Sequence, residues 1–403
     1  MRIALFHNLP SGGAKRAVFE WTQLLSKKHT IDVYTLTTAD HEFYDIRPYS
    51  QNHSVYDFIP RRIYKSPFGR LNQLQRWRDL RSLTEIHKRI AREINTRSYD
   101  IFFANSCMYT FIPICLQFID IPSLYYLHES FGRAGNRSIS RPYRLAENRT
   151  RRLDRIDPLI KLYYYSLDAV QQKSMCATSL LVANSSYTQT AMTEPYGSKI
   201  FTNKLGVDTS SFYPTNIDKK NQILSVGELS PRKGFDFLIT SLAQIQASER
   251  PKLIIAANNW LEPELEYLKS LAAGNQVQLE IKTKLDSDAL NKEYNQAALC
   301  VYAPVLEPFG LVPLEAMAAG TPVVGVSEGG VAESIVHEKT GLLVERDPKK
   351  FADAITYLMR NPQIRSQYGA SAREYVVNNW SWEKSTTSLE AYLHITIEKY
   401  HYA

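Results

Sequence analysis

Residues 307–324 read Glu-Pro-Phe-Gly-Leu-Val-Pro-Leu-Glu-Ala-Met-Ala-Ala-Gly-Thr-Pro-Val-Val, and this stretch indicates how the chain folds. Two apolar runs, Leu299–Ala303 before it and Pro322–Val326 at its end, predict strands. Between them a short helix is predicted over Val312–Ala318, because Pro313 suits a first helical turn and the small residues after it allow close packing on a sheet. The order strand, helix, strand predicts parallel neighbours in an α/β sheet.

The same alternation extends in both directions along the chain. Further strands are predicted at Arg2–Phe6, Ile31–Leu36, Asp100–Ala104, Ser123–Leu127, Ser179–Ala183, Lys199–Asn203, Gln222–Val226, Lys252–Ala256, Gln276–Lys282 and Leu342–Val344. Helices are predicted at Ala14–Lys27, Leu71–Thr96, Asp157–Met175, Phe235–Gln246, Glu262–Ala272, Ser287–Ala297, Pro348–Arg360, Gln363–Val377 and Trp382–Tyr400. This pattern is typical of βαβ units and parallel sheets.

A length of 403 residues exceeds the usual size of one core, so two Rossmann-like lobes are predicted. The first covers residues 1–205 and the second residues 222–381, with a linker at 206–221 that is rich in turn-forming and polar residues. The final helix, about residues 382–403, is expected to pack back on the first lobe. Parallel-stranded lobes of this kind bind ligands at the carboxyl ends of their strands, in a cleft between domains.

Composition excludes several classes of protein. There is no run of eighteen apolar residues to span a membrane, and the apolar start of the chain is too short for a signal peptide. The four cysteines lack CxxC spacing, so neither a zinc site nor a disulfide framework is predicted and a cytoplasmic location is expected. The net charge of +7 is uneven: residues 1–200 carry 28 Lys and Arg against 17 Asp and Glu, whereas residues 201–403 carry 20 against 24.

Two loops are candidate phosphate sites. Gly12-Gly13 lies between the first strand and the first helix, where glycines allow close backbone approach and helix N–H groups attract an anion. A tight turn is the plain alternative, and the loop lacks the GxGxxG dinucleotide pattern. In the second lobe, Arg232 and Lys233 precede a helix, where the macrodipole disfavours cations unless an anion binds there. A solvated basic pair is the alternative.

Two carboxylates in the opening stretch form the strongest candidate site. Glu307 is predicted in a loop after a strand and Glu315 near the start of the following helix, so both converge on the strand ends. Carboxylates accept hydrogen bonds from sugar and ribose hydroxyls.

This string resembles the donor-binding E-x7-E signature of retaining GT-B glycosyltransferases of family 4. The likeness covers nearly the whole chain, because other family motifs occur in order: Gly12-Gly13, Leu127-His128-Glu129, Ala183-Asn184-Ser185, Gly206-Val207-Asp208, Val226-Gly227, Lys233-Gly234, Glu328-Gly329-Gly330 and Gly341-Leu342-Leu343-Val344. One departure is Glu228, where the family often has arginine, and Arg232 is a candidate for the missing charge.

The resemblance implies a role for each matched residue. Glu307 would bind donor sugar hydroxyls, Glu315 the ribose, and Lys233 the diphosphate. Contacts along the sugar and diphosphate are implied for the backbone of Phe309, Gly310 and Leu311, for the Gly12-Gly13 loop, for Arg232 and for His128. His128, Glu307 and Lys233 would be the catalytic residues. The family implies a nucleotide-diphosphate sugar as donor and retention through front-face attack by the acceptor. No Asp-x-Asp metal motif stands in a convincing place, so Lys233 and Arg232 are expected to take the place of a metal, and no further cofactor is expected.

The basic excess of the first lobe suggests an acceptor at a membrane surface. Basic and large apolar residues are interleaved in two stretches: Arg61, Arg62, Tyr64, Lys65, Phe68, Arg70, Leu71, Leu74, Arg76, Trp77, Arg78, Leu80 and Arg81, then Arg141, Tyr143, Arg144, Arg149, Arg151, Arg152 and Arg155. We therefore expect a peripheral protein at the inner face of the membrane with a lipid-linked or glycolipid acceptor, in glycolipid, lipid-linked saccharide or cell-surface polysaccharide synthesis. A solvated helix face and an intersubunit surface are the alternatives.

Other functions also stay open at the level of sequence. A glycosyltransferase with a soluble acceptor, a sugar-nucleotide epimerase and a hydrolase fit a similar two-lobed fold. A non-catalytic binding protein would not need Glu307, Lys233 and His128 together. No recognised motif supports a nucleic-acid partner.

Overall fold

The computed structural model describes residues 1–64, 71–131, 139–144, 157–197 and 199–401. The fold has two compact units. Unit 1 comprises Met1–Arg137, Arg144–Lys204 and Ser385–Ala403, and unit 2 comprises Ser138–Tyr143 and Leu205–Lys384. The chain therefore passes from one unit to the other four times.

Unit 1 is built on a sheet of seven parallel strands in the order β3-β2-β1-β4-β5-β6-β7. The strands are β1 (Arg2–Asn8), β2 (Thr30–Leu36), β3 (Asn52–Tyr56), β4 (Ile101–Cys107), β5 (Ser123–Leu127), β6 (Leu180–Ala183) and β7 (Ile200–Thr202). All of β4 and β5 is buried, as expected of central parallel strands covered on both faces. The strand order reverses between β1 and β4.

Among the described residues, the α-helices of unit 1 are α1 (Gly13–Leu25), α2 (Asn72–Thr96), α3 (Pro158–Cys176), α4 (Ser186–Tyr196) and the C-terminal α12 (Trp382–His401). From Ser385 onward α12 packs on this unit, where the Trp21 indole donates to Ser385 Oγ at 3.0 Å. Within the described residues, no helix combines the length and apolar character needed to cross a bilayer.

Unit 2 repeats the plan with six parallel strands in the order β10-β9-β8-β11-β12-β13. These strands are β8 (Lys220–Val226), β9 (Lys252–Ala256), β10 (Leu279–Lys282), β11 (Ala297–Tyr302), β12 (Val323–Val326) and β13 (Gly341–Val344). The helices are α5 (Phe235–Ala243), α6 (Glu262–Gly274), α7 (Ser287–Gln296), α8 (Leu311–Ala318), α9 (Val331–Ser334), α10 (Pro348–Arg360) and α11 (Pro362–Asn379). The order reverses between β8 and β11.

The predicted fold class of two parallel-sheet, Rossmann-like domains with a returning C-terminal helix is confirmed. Some boundaries were wrong. The strand predicted from Gln276 begins at Leu279, because Gln276 has a φ of 53° in the turn after α6. The residues predicted as a linker belong to unit 2, where the Phe212 ring is buried and meets Tyr294 edge-on.

Candidate active site

In unit 2, Lys233 and Glu307 meet at the point where the strand order reverses. Lys233 follows β8 and Glu307 follows β11, the two neighbouring strands whose connections run in opposite directions. Lys233 Nζ lies 2.8 Å from Glu307 Oε1 and 3.0 Å from Oε2. Both side chains are about one-fifth exposed, so the pair is only partly shielded from solvent. Open parallel sheets bind ligands at this switch point, so the topology supports the sequence-predicted site.

The turn that carries Lys233 differs from the prediction. Pro231–Lys233 form a short 3₁₀ turn, and α5 begins only at Phe235, with Gly234 at its N-cap in the left-handed region at φ 68°. The Lys233 cation is therefore not an unpaired charge at a helix N-terminus, because Glu307 supplies the anion. A Cβ at Gly234 would lie 2.0 Å from the Ala303 carbonyl oxygen, so glycine lets the turn pack directly against the chain at the end of β11.

The backbone at Glu307 is held by the loop after β12. Leu306 has a φ of 49°, and Gly330 N–H donates to the Glu307 carbonyl at 2.8 Å. A Cβ at Gly329 would lie 2.5 Å from that carbonyl oxygen, so only glycine allows this approach. The Glu328-Gly329-Gly330 motif thus fixes the backbone from which the Glu307 carboxylate projects.

Sequence reasoning missed Arg346, which supports the same loop. Its Nε lies 2.9 Å from each Glu328 carboxylate oxygen, Nη1 donates to the Ala303 carbonyl at 3.0 Å and Nη2 to the Pro304 carbonyl at 2.6 Å. The guanidinium also lies over the Phe237 ring. A lone arginine after a strand has no sequence signal for this role, since its partners lie 18 to 43 residues away.

Glu315 is far more enclosed than Glu307. It lies in α8 with 6% exposure, and its Oε2 accepts a hydrogen bond from the Tyr294 hydroxyl at 2.9 Å. Burial raises the pKa of Tyr294, and the Glu315 carboxylate raises it further. Burial also raises the pKa of Tyr302, as do the carboxylates of Glu307 and Glu315.

The three residues after Glu307-Pro308 lead into the N-terminus of α8. Phe309 is buried and packs edge-on against Trp380, and Gly310 is the N-cap with a φ of 91°. Leu311 is the first helical residue. This backbone leads from the Glu307 loop into a helix N-terminus, an arrangement that suits an anionic ligand. By contrast, Arg232 and Glu228 are both exposed, so the structure does not bring Arg232 into the Lys233–Glu307 pair.

In unit 1, the Gly12-Gly13 loop opens α1 after β1. Gly12 is the N-cap with φ 149° and ψ −177°, a conformation that L side chains rarely adopt. No atom lies within 4 Å of a Cβ placed there, so the loop presents its backbone to open space. Sequence reasoning missed a buried cation beside it: Lys15 is 1% exposed, and Nζ lies 3.4 Å from His7 Nε2. Burial lowers the pKa of Lys15 to about 8 and that of His7 well below its ordinary value.

His128 follows β5 and is bound to Asn105 of the neighbouring strand β4. Its Nε2 lies 2.9 Å from Asn105 Oδ1, and Asn184 Nδ2 donates to the His128 carbonyl at 2.7 Å. Burial lowers the pKa of His128 to about 3, so the ring is neutral at physiological pH. With Nε2–H donating to the amide oxygen, Nδ1 is an acceptor. Nδ1 of His128 and Nδ2 of Asn105 have no hydrogen-bond partner within the described part of the chain.

The predicted basic surface is only partly present. Arg141 was wrongly placed in it, because its side chain is 2% exposed and bound to carboxylates of unit 2, and Leu80 was also misplaced because it belongs to the core. Arg61, Arg62, Arg76, Arg78 and Arg81 are exposed as predicted. Lys65, Phe68, Arg70, Arg149, Arg151, Arg152, Arg155 and the side chain of Arg144 lie outside the described residues.

Comparison with protein families assigns both halves of the chain. A family model described as Glycosyltransferase Family 4 matches residues 11–211, and one described as Glycosyl transferases group 1 matches residues 208–375. The chain belongs to glycosyltransferase family 4. The resemblance stated from the sequence motifs is thereby confirmed.

Curated relatives of this family 4 chain match it over part of their length. A Methanocaldococcus jannaschii glycosyltransferase described as uncharacterized is 35% identical over 173 residues, 41% of this chain and 43% of that protein. Human alpha-1,3/1,6-mannosyltransferase is 28% identical over 261 residues, 58% and 63% of the two chains. The Mycobacterium tuberculosis GDP-mannose-dependent alpha-(1-6)-phosphatidylinositol monomannoside mannosyltransferase is 29% identical over 242 residues, 54% and 62% of the two chains. The matches thus span about two-fifths to three-fifths of these relatives.

Solved structures agree on the fold over nearly the whole chain. Sucrose-phosphate synthase from Thermosynechococcus elongatus gives a TM-score of 0.74 at 20% identity, covering 99% of this chain and 100% of that one. Anabaena HepE in complex with UDP and glucose gives 0.69 at 19% identity, covering 98% and 99%. The family 4 chain therefore has the GT-B fold.

Proposed function

We propose that this protein transfers a sugar from a nucleotide-diphosphate sugar to an acceptor with retention of anomeric configuration. The Lys233–Glu307 pair at the switch point of unit 2 carries the proposal. Departure of the nucleoside diphosphate develops negative charge on its phosphate oxygens, and a fixed cation beside them stabilises that charge. Lys233 would exchange the Glu307 carboxylate for the diphosphate, which frees Glu307 to accept hydrogen bonds from the sugar hydroxyls.

The other signature residues have proposed roles in each unit taken by itself. The backbone of Phe309, Gly310 and Leu311 would lie along the sugar and diphosphate, and Glu315 would accept from the ribose. In unit 1 the open backbone of Gly12-Gly13 suits a phosphate, and the unpaired Nδ1 of His128 suits a sugar hydroxyl. The anomeric carbon–oxygen bond of the donor breaks as the acceptor oxygen attacks from the same face, and the acceptor proton passes to the leaving diphosphate. No metal or further cofactor is needed for these steps.

A donor screen by thermal shift against UDP-, GDP- and ADP-sugars tests the donor class, because a ligand that binds only the folded state raises its melting temperature. Product analysis with and without acceptor then tests the reaction. A new glycoside that forms only with acceptor, with the anomeric configuration of the donor, supports the proposal. Free sugar or an epimerised sugar nucleotide as the main product would replace it with a hydrolase or an epimerase.

We propose further that the acceptor is lipid-linked or a glycolipid. Shortly before α2 the surface of unit 1 exposes two large apolar side chains, Ile59 at 85% and Ile63 at 64%, which flank the exposed Arg61 and Arg62 in the sequence. Helix α3 packs against α2 and adds Tyr165 at 74% exposure. Apolar side chains surrounded by arginines suit an anionic bilayer surface. The mycobacterial relative is named for a phosphatidylinositol monomannoside, and the similar structure of WaaG for lipopolysaccharide biosynthesis.

Vesicle sedimentation at low and high salt tests the membrane proposal. We expect binding to anionic but not neutral vesicles, weakened by salt because exposed charges are screened. The double variant Ile59→Ser and Ile63→Ser should lose much of this binding, whereas Val377→Ser, at an exposed site of unit 2, should keep it. Equal sedimentation of the wild type and the double variant, or full turnover of a soluble acceptor without vesicles, would contradict the proposal.

A further inference from the structure

Arg141 is a buried arginine that belongs to unit 2, although the chain on both sides of it belongs to unit 1. Residues Ser138–Tyr143 are grouped with unit 2, whereas Met1–Arg137 and Arg144–Lys204 form unit 1. The Arg141 side chain is 2% exposed and faces Glu264 of α6, which is fully buried. Nε lies 3.1 and 3.0 Å from the two Glu264 oxygens, and Nη2 lies 3.0 Å from Oε1.

The same guanidinium reaches the turn that carries Lys233. Nη1 donates to Asp236 Oδ2 at 2.8 Å, and Nη2 donates to the Pro231 carbonyl at 3.3 Å. Pro231 and Asp236 bracket Lys233 and Gly234, so one side chain ties together the two ends of this segment. Glu264 completes the anchor and also accepts from the Tyr143 hydroxyl at 2.6 Å.

The Lys233 turn is thus held from two sides. On one side the Val305 N–H donates to the Arg232 carbonyl at 2.8 Å, which joins the turn to the chain after β11. On the other side Arg141 joins it to α6. Glu307 also follows β11, so the two ties fix the backbone that carries Lys233 relative to the chain that carries Glu307, and the Lys233 ammonium reaches the carboxylate from that fixed backbone. A planar guanidinium with five donors can bind two carboxylates and a carbonyl at once, which a lysine ammonium cannot do in this geometry.

We infer that Arg141 is a positioning residue that holds Lys233 in place for the donor diphosphate. This inference rests on the proposed function, because it assigns the effect of Arg141 to the cation that meets the diphosphate. Its consequence is that the short segment 139–143, which the sequence places between the strands and helices of unit 1, is part of the framework of the donor site.

Nucleotide binding by matched variants tests the inference. Arg141→Met removes the contacts of Arg141 to Pro231, Asp236 and Glu264 and leaves the Val305–Arg232 hydrogen bond in place. The double variant Arg141→Met with Glu264→Met also removes the carboxylate that would otherwise be left buried without its partner. Arg250→Met is the control. Arg250 likewise holds backbone carbonyls of unit 2, at Ala243, Ile245, Asn275 and Gln276, but does not contact the Lys233 turn.

Calorimetric titration compares UDP, GDP and ADP with their nucleosides for each variant. We expect the single and double Arg141 variants to weaken diphosphate binding tenfold or more while nucleoside binding changes less than threefold. Arg141→Lys should rescue little of this loss. Arg250→Met should lower the melting temperature but change diphosphate binding less than twofold. Arg141 variants that are less stable yet bind the diphosphate as the wild type does would overturn the inference.

Hydrogen exchange separates this inference from the proposed function. Amides of residues 228–236 should exchange faster in both Arg141 variants than in the wild type and in Arg250→Met, whatever ligand the protein uses. If the wild type binds none of the three diphosphates, the proposed function fails and with it the role assigned to Lys233. If those amides keep wild-type protection in the Arg141 variants, the anchoring itself is refuted.

Discussion

Replacing Glu307 with glutamine should reduce sugar transfer strongly while leaving the fold intact. Glutamine keeps the shape of the side chain but removes the charge that Lys233 contacts through both oxygens, at 2.8 and 3.0 Å. If the same two oxygens accept sugar hydroxyls, charge-assisted bonds worth about 1.5–3 kcal/mol become ordinary ones of about 0.5–1.5 kcal/mol. A loss of roughly 2–3 kcal/mol over both bonds corresponds to a decrease of about 30- to 150-fold in kcat/KM.

The stability cost should be small by comparison. The Lys233–Glu307 pair is about one-fifth exposed, so its loss should cost on the order of 1 kcal/mol, or about 2–4 °C in melting temperature for a unit of this size. Glu293→Gln is the matched control. Glu293 of α7 forms an ion pair at 2.7 Å with Lys282, which lies on the edge strand β10 of the same unit. It should shift the melting temperature by a similar amount and leave kcat/KM unchanged.

Initial rates of transfer, measured with the donor identified by the thermal-shift screen, decide between these outcomes. Comparable losses of kcat/KM in the Glu307 and Glu293 variants would assign the effect to stability. Wild-type kcat/KM in Glu307→Gln would remove Glu307 from the site and leave the Lys233 pair as a structural ion pair.

Lys233→Met should weaken binding of a nucleoside diphosphate far more than binding of the nucleoside, and equal calorimetric losses for both ligands would contradict its assigned role. Gly234→Ala should lower the free energy of unfolding in urea by at least about 2 kcal/mol and reduce transfer, because a Cβ in this left-handed conformation would lie 2.0 Å from the Ala303 carbonyl oxygen. Gly274→Ala is the control and should be nearly neutral, because a Cβ there would have nothing within 4 Å. Burial lowers the pKa of His87 to about 3. Between pH 6.5 and 3 the unfolded chain therefore binds a proton that the folded chain does not, and the unfolding free energy decreases as the pH is lowered. His87→Leu should therefore flatten the pH dependence of the unfolding free energy by about 1.4 kcal/mol per pH unit between pH 5.5 and 4, and an unchanged slope in urea titrations would refute this reading.

Local patterns predicted most of the secondary structure. Ser123–Leu127, Lys252–Ala256 and Pro348–Arg360 have the predicted bounds, because apolar runs and amphipathic periodicity mark them clearly. Strand β3 was missed because the polar sequence Asn-His-Ser-Val-Tyr lies at the edge of its sheet, where only one side pairs. Helix α4 was missed although Ser185 caps it, because the helix is short and contains Pro195.

The sequence predicted those site residues that directly follow a strand. Lys233 and Glu307 both follow predicted strands, so their meeting follows from strand order. Arg141 could not be placed, because its partners Asp236 and Glu264 lie 95 and 123 residues away. A glutamate in the first turn of a helix usually faces solvent and the helix dipole, so the sequence of α6 does not show that Glu264 is buried.

The chain crosses between the two units four times, and this limits how the protein can be cut into fragments or recombined with a relative. A cut at residue 205 isolates most of unit 2 but leaves behind Ser138–Tyr143, so the fragment keeps Glu264 without Arg141. A chimera that takes its first half from another family member meets the same difficulty unless that half supplies an equivalent arginine. The two halves of this chain are therefore not independent of each other. Residues 141 and 264 have to be inherited together, or replaced together by side chains that need no counterion.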